Sequence, residues 1–395
     1  MDVQVRNGDS LWYYSNTFNV PLPLIIHSNP NINPASLSRG QTIHIPGYRL
    51  ENYTIEPGDT FYKLATNRRL SIDSLLLVNP RSNPNGLRIG QTVKIPTRVT
   101  SAIIHPREKY DYQTMTSDLE NLTELYPFMK TRAIGKSVMG KSLIELQIGD
   151  GDKVIHWDGS FHAQEWITTC VIMEFVNSYL LALTNNETIR GRVMGPFYSE
   201  ITLSIVPMVN PDGVDLVLNG PPNGSYGESA IQINNGSTDF SGWKANIRGV
   251  DLNNQYPANW EMEAARKPKE PKPRDFPGYS PLTEPESKAM AELAGELNYE
   301  TMLAFHTQGE VIYWGYENCE PPRSRQIVNE FSRVSSFEPI RYVYSFAGYK
   351  DWFIQDFRKP GFTVELGQGI NPLSIRQFDE IYQKALGIFL ASMYM

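Results

Sequence analysis

Lys153-Val-Ile-His-Trp-Asp-Gly-Ser-Phe-His162-Ala-Gln-Glu165-Trp-Ile-Thr-Thr-Cys170 is the stretch on which the reading of this chain turns. An apolar, strand-like run over Lys153–Trp157 breaks at Asp-Gly-Ser, and a long apolar helical pattern follows from Glu165 to Leu183. A strand passing through a short turn into a helix is the building unit of an α/β fold. Further candidate strands at Ser142–Ile148, Glu200–Met208, Glu300–Phe305 and Phe362–Leu366 continue the alternation, as do candidate helices at Glu284–Leu297, Arg323–Val334 and Ser374–Ser392. Strands that are apolar almost throughout, rather than at every second position, belong in a sheet covered on both faces. The expected class is therefore α/β.

In such sheets, ligands gather where strands run out into loops. His162 and Glu165 follow one strand closely, and His306, in Ala-Phe-His306-Thr-Gln-Gly, closes another. Two imidazoles and one carboxylate form the ligand set of a catalytic zinc with its fourth position open. The His-x-x-Glu spacing alone carries little weight. Six His and 43 acids among 395 residues produce about 0.65 such matches by chance, so the neighbouring segments must decide. Four do so: Asn210-Pro-Asp-Gly213, Arg248-Gly-Val-Asp251-Leu-Asn253-Asn254, Gly348-Tyr349-Lys350-Asp351-Trp352, and Phe362-Thr-Val-Glu365-Leu. Glu365 interrupts an apolar strand, and a buried carboxylate is costly unless it has a partner or a task.

The first hundred residues carry a duplication at a constant offset of fifty. Gly8-Asp9-Ser10 answers Gly58-Asp59-Thr60, Asn29-Pro30 answers Asn79-Pro80, and Gly40-Gln41-Thr42 with Ile45-Pro46 answers Gly90-Gln91-Thr92 with Ile95-Pro96. Each copy reads as strand, helix, helix, strand, with Asp9 or Ser10, and likewise Asp59 or Thr60, capping the first helix and proline closing the later elements. Both copies resemble the LysM family, which implies small βααβ modules that bind N-acetylglucosamine-containing glycans such as peptidoglycan. The resemblance assigns the glycan to loop residues around Gly8, Asp9 and Ser10 and their equivalents Gly58, Asp59 and Thr60. The expected organisation is modules at 1–48 and 49–98, a connector at 99–109 and a large domain at 110–395.

A net charge of −7 and the lack of a Lys/Arg tract argue against nucleic acid as a partner. No run of 18 apolar residues is present, so no membrane span is expected. The N-terminus shows neither a basic nor an apolar leader, and of the two cysteines Cys170 falls in an apolar helical run as a free thiol. The expected location is the cytoplasm or a compartment of a sporulating cell, with access to the wall after lysis. The Pro/Lys-rich segment Arg266–Arg274 is expected to be a solvated surface loop.

Taken in order, His162-Ala-Gln-Glu165-Trp166, Asn210-Pro-Asp-Gly213, Gly-Val-Asp251-Leu-Asn253, His306 and Glu365 closely resemble the zinc carboxypeptidase family over residues 110 to 395. The resemblance implies a mixed eight-stranded sheet flanked by helices and one catalytic Zn2+. It makes His162, Glu165 and His306 the zinc ligands, Glu365 the general base and Asp251 the acceptor behind the first imidazole. For the cation beside the oxyanion it offers Arg248, with Lys244 as the alternative. Members that trim peptide ends grip the terminal carboxylate with an Asn-Arg pair and carry an Arg inside His-x-x-Glu. Here the pair is Asn253-Asn254 and the inner residue is Gln164, which removes the bidentate grip on a C-terminal carboxylate. Tyr349 and Lys350 fall where the side chain after the scissile bond is read, so Lys350 is expected to meet an acidic group. With glycan-binding modules attached, the chain resembles the bacterial γ-D-glutamyl-diamino acid endopeptidases, which implies hydrolysis of peptidoglycan stem peptides before diaminopimelate or lysine. The alternative is a metallocarboxypeptidase, or an amidase or deacylase, acting on other wall peptides.

Overall fold

The computed structural model describes residues 1–107 and 109–395; Glu108, in the expected connector, lies outside the described residues. The chain divides into a smaller unit (Met1–Ile103, Leu119–Lys130 and Asn177–Pro196) and a larger one made of Ile104–Asp118, Thr131–Val176 and Phe197–Met395.

In the smaller unit both copies of the repeat take the strand–helix–helix–strand form. Strands β1 (Asp2–Gln4) and β2 (Thr42–His44) pair antiparallel, as do β3 (Tyr48–Thr54) and β4 (Thr92–Arg98). The repeated residues explain the shape. Gly8 and Gly58 take φ of 87° and 86°, which a glycine adopts without strain. Ser10 and Thr60 cap the helices Leu11–Phe18 and Phe61–Asn67 by accepting from the amides of Tyr13 and Lys63. Asp9 and Asp59 close the turns by accepting from the amides of Arg6 and Glu56. The Asn of each Asn-Pro is a buried latch. Asn29 Nδ2 donates to Ile25 O and His44 O while its Oδ1 accepts from His44 N; Asn79 repeats this with Leu75 O, Lys94 O and Lys94 N. The residues first assigned to glycan are therefore engaged in forming the modules. What the repeat leaves exposed is an aromatic at the next position but one, Trp12 and Tyr62. A small hairpin, β8 (Thr188–Ile189) with β9 (Arg192–Val193), also belongs to this unit.

The larger unit is built on an eight-stranded mixed sheet. Its strands are β5 (Lys130–Lys136), β6 (Ser142–Gly149), β7 (Lys153–Gly159), β10 (Ile201–Val206), β11 (Thr301–Thr307), β12 (Val311–Tyr313), β13 (Glu338–Ile340) and β14 (Gly361–Leu366), in the order β13-β12-β14-β11-β7-β10-β6-β5. The central strands β14, β11, β7 and β10 are parallel, and antiparallel pairings to β12 and β6 flank them. β11 is buried at every residue, as its unbroken apolar pattern requires. Helices cover both faces. On one, the Trp157 ring meets Phe175 and Phe389 at 5.2 and 4.8 Å; on the other, His156 stacks on Tyr299 at 4.3 Å.

The five strands expected in this region occur within a few residues of their reading. β5, β12 and β13 were not anticipated: one is a polar edge strand, and the other two are three residues long. Residues 163–185 are long and apolar enough to cross a membrane, but most of that stretch is buried inside the fold, which makes it a core helix.

Candidate metal centre and active site

The parallel strands β7, β11 and β14 end side by side, and the site forms at those ends. β7 stops at Gly159 and the chain turns through Ser160 and Phe161 to His162. Glu165 closes a single 3-10 turn, Ala163–Glu165, and the long helix begins two residues later at Ile167, not at Glu165 as expected. His306 sits near the end of β11, and parallel pairing sets Glu365 of β14 directly opposite it.

These placements bring three donors to one point. His162 Nδ1 lies 2.9 Å from Glu165 Oε1, His306 Nδ1 lies 3.0 Å from Glu165 Oε2, and the two Nδ1 atoms are 3.1 Å apart. All three side chains are buried, and among the described residues they form the one His/Cys/Asp/Glu group arranged to hold a metal ion. A tetrahedral zinc bonded at about 2.0–2.1 Å separates its donors by about 3.3 Å, close to what is found. The two Nδ1 atoms and the carboxylate also turn toward one common point, where a single cation meets all three lone pairs. The donor set fits zinc.

The surroundings hold these donors in place. Behind His162, Asp251 Oδ1 stands 3.3 Å from Nε2, and Asp251 Oδ2 accepts from Lys244 Nζ at 2.7 Å. Asp251 itself is fixed because its carboxylate caps the short turn Leu252–Asn254 through the amide of Asn253. Glu165 accepts further from the Thr307 amide at 3.3 Å and Asn371 Nδ2 at 3.4 Å, two partners that the sequence did not announce.

The charges follow from this packing. Burial disfavours a charged His162, but the Glu165 and Asp251 carboxylates outweigh it and raise its pKa to about 8. Burial likewise works against the Glu165 carboxylate, and the two imidazoles reverse it and hold the group below the usual range. Asp251 is held low against burial by Lys244 and His162. Glu365 goes the other way: burial first, then the negative charge of Glu165, push it up. Of the two carboxylates beside His306, the environment favours Glu165 as the anion and Glu365 as the one that holds a proton.

A cavity of about 200 Å³ opens over the donors, and Lys244, Asn253, Asn254, Lys350 and Glu365 all contribute to its wall. Asn254 Nδ2 is a buried donor without a partner, while Asn253 Oδ1 accepts from the Tyr349 amide. Two expectations are corrected. Arg248 does not reach the pocket: its guanidinium turns toward Glu284 at 3.5 Å, and Lys244 lines the pocket in its stead. Tyr349 is a core residue whose ring packs on Phe161 and Tyr256 at 5.5 and 5.0 Å. Lys350 does reach the pocket, with Nζ held by Asp351 at 2.6 Å and by Gly315 O at 2.9 Å. Lys267, from the segment expected to be solvated, also lines it.

Residues 115–385 match the family model described as zinc carboxypeptidase, and residues 3–46 and 53–96 each match that of the LysM domain. The chain belongs to the zinc carboxypeptidase family and carries two LysM domains ahead of the peptidase. It is similar to Gamma-D-glutamyl-L-diamino acid endopeptidase 1 of Lysinibacillus sphaericus, with 58% identity over 396 residues covering 100% of both chains. Among solved structures, it shares its fold with bovine thrombin-activatable fibrinolysis inhibitor (TM-score 0.59, 18% identity, 74% of this chain and 98% of that one). Carboxypeptidase A from Helicoverpa armigera is similar as well (TM-score 0.55, 19% identity, 84% of this chain and 81% of that one).

Proposed function

We infer that this protein is a zinc-dependent peptidase that hydrolyses the γ-D-glutamyl–diamino acid bond of peptidoglycan stem peptides, and that its LysM domains bind the glycan. One observation carries the reading: the donor set of His162, Glu165 and His306 meets, through His162, a pocket that Glu365 also lines and whose cations are all lysines. No arginine fork is there to clamp a peptide C-terminus, and the full-length relative at 58% identity bears the name of that endopeptidase activity.

One catalytic zinc would be held by His162, Glu165 and His306, supplying a Lewis acid that acidifies water and polarises a carbonyl. The remaining work falls to the chain. Glu365, raised toward the range where it exchanges protons, takes a proton from the attacking water and delivers it to the leaving nitrogen. Lys244 supplies fixed positive charge for the oxyanion, anchored by Asp251 so that it need not reorganise during the reaction. Asn254 Nδ2 offers its unpaired donor to a backbone carbonyl of the stem peptide. Lys350 draws an acidic group of the leaving residue, which competes with Asp351 for the ammonium. On the LysM side, the exposed rings of Trp12 and Tyr62 offer flat apolar faces to the sugar.

The test is product analysis by mass spectrometry on purified stem tetrapeptides. Release of L-Ala-γ-D-Glu should vanish with a chelator and return with zinc. Release only of C-terminal residues from ordinary peptides, or an amidase product from the same wall fragments, overturns the assignment.

A further inference from the structure

The Pro/Lys-rich segment Arg266–Arg274 is tied down rather than solvated. Pro273 O accepts from the amides of Lys244 and Ala245 at 2.8 and 3.0 Å, and the Lys272 amide donates to Gly249 O at 3.1 Å. Gly249 permits this approach: its φ is +74°, and a Cβ there would meet Lys272 N and O at 3.1 Å. At the other end of the segment Lys267 caps the helix Trp260–Arg266, and its side chain lies in the wall of the pocket that holds His162 and Glu365.

The three lysines of that wall are not equivalent. Lys244 has Asp251 at 2.7 Å and Lys350 has Asp351 at 2.6 Å. Lys267 has two carboxylates, Glu263 and Asp275, each at 3.5 Å, beyond the 2.7–3.2 Å of a formed N–H···O bond. An ammonium carries three donors, and this one, with its side chain 23% exposed, keeps them for a ligand from outside. Its neighbours also differ from those of Lys350, which lines a second cavity of about 120 Å³ with Gly315–Asn318. Lys267 stands beside Asp275, which also meets Lys244 at 3.3 Å.

A γ-linked glutamyl residue is joined through its side-chain carboxyl, so its α-carboxylate is free, three carbons from the scissile carbonyl; most residues on the acyl side of an ordinary peptide bond carry no carboxylate at that distance. We propose that Lys267 binds this free α-carboxylate on the acyl side of the bond, which makes it the residue of the Pro/Lys-rich segment that selects stem peptides with the glutamyl carboxylate free. This rests on the activity inferred above, with Lys350 serving the leaving side.

The test uses the full chain, zinc-loaded, on two stem peptides: L-Ala-γ-D-Glu-diaminopimelate-D-Ala and the same peptide with the glutamyl α-carboxylate converted to a carboxamide. Wild type should prefer the acid. Lys267→Gln should lower kcat/KM on the acid by about tenfold to a hundredfold, the range of a hydrogen bond to a charged group, and leave the amide unchanged. Lys267→Arg should keep most of the preference. An equal loss on both peptides, or full activity of Lys267→Gln on the acid, overturns the assignment of Lys267 while the activity itself stands. Failure of wild type to cut either peptide overturns the activity, and this assignment falls with it.

Discussion

Replacing Asp251 by Asn should cost the protein its metal before its fold. The carboxylate is buried and has three engagements: the Asn253 amide at 3.1 Å, Lys244 Nζ at 2.7 Å and His162 Nε2 at 3.3 Å. Asn keeps the shape and can keep one acceptor. Lys244 demands an acceptor because it is a cation, so the amide oxygen stays with it and the NH2 turns to His162. A donor facing Nε2 favours the tautomer in which Nε2 is bare and Nδ1 carries the proton, which occupies the lone pair aimed at the metal. Losing the group that orients a ligating imidazole costs about tenfold to a hundredfold in metal affinity, or about 1.4–2.8 kcal/mol. The assay is a competition titration of zinc against a chromophoric chelator, with circular dichroism to show that the variant is folded. Zinc stabilises only the native state, so the metal-dependent rise in thermal midpoint should shrink in parallel. A folded Asp251→Asn protein that binds zinc as tightly as wild type would refute the reasoning.

Glu365→Gln should retain zinc and lose about two to four orders of magnitude in kcat, because the amide cannot carry the proton; activity near wild type would remove Glu365 from the mechanism. Glu286 gives a pH prediction. Burial, against which the Val138 amide pulls weakly, raises it from 4.5 to about 7, so the native state holds its proton more tightly than the unfolded chain does. Stability from this group is therefore full below pH 4.5 and lost as pH rises to about 7, at most about 3 kcal/mol. Glu286→Gln should flatten that slope in urea unfolding at pH 5 and pH 8, and an unchanged slope would count against it. Asn29→Ala and Asn79→Ala should each destabilise their own LysM module by about 1–3 kcal/mol by stranding the buried groups that the latch satisfies. Limited proteolysis should then cut the first hundred residues and spare the peptidase.

The zinc donors were legible because the chemistry needs particular residue types close in sequence, and strand ends are where an α/β fold delivers them. His162 and Glu165 share one turn, and His306 and Glu365 are neighbours only through the pairing of β11 with β14, yet each ends or interrupts an apolar run that marks its strand. The misreadings share a cause, namely direction. Arg248 and Lys244 lie four residues apart in irregular chain with no period to say which side chain faces the metal. Tyr349 and Lys350 open one helix, where successive residues diverge by about 100°; with Lys350 in the pocket wall, Tyr349 must enter the core. Lys267 was missed because a run of proline and lysine reads as solvated, whereas Lys267 ends the helix Trp260–Arg266 and the segment's far end is tied by Lys272 and Pro273 to Gly249, Lys244 and Ala245, which no local pattern records.

The repeat is a different case. Gly8-Asp9-Ser10 and Gly58-Asp59-Thr60 took a glycan assignment from the LysM resemblance. The structure gives each a backbone task, a positive φ, a turn amide or a helix cap, and Asp59 and Thr60 also line a surface cavity with Tyr62. Identity held between two copies in one chain marks what both must do to fold. The glycan contact is better sought where the copies place an exposed ring of different type, Trp12 in one and Tyr62 in the other. A surface that needs only a flat apolar face tolerates that exchange, whereas a latch that must donate twice and accept once does not.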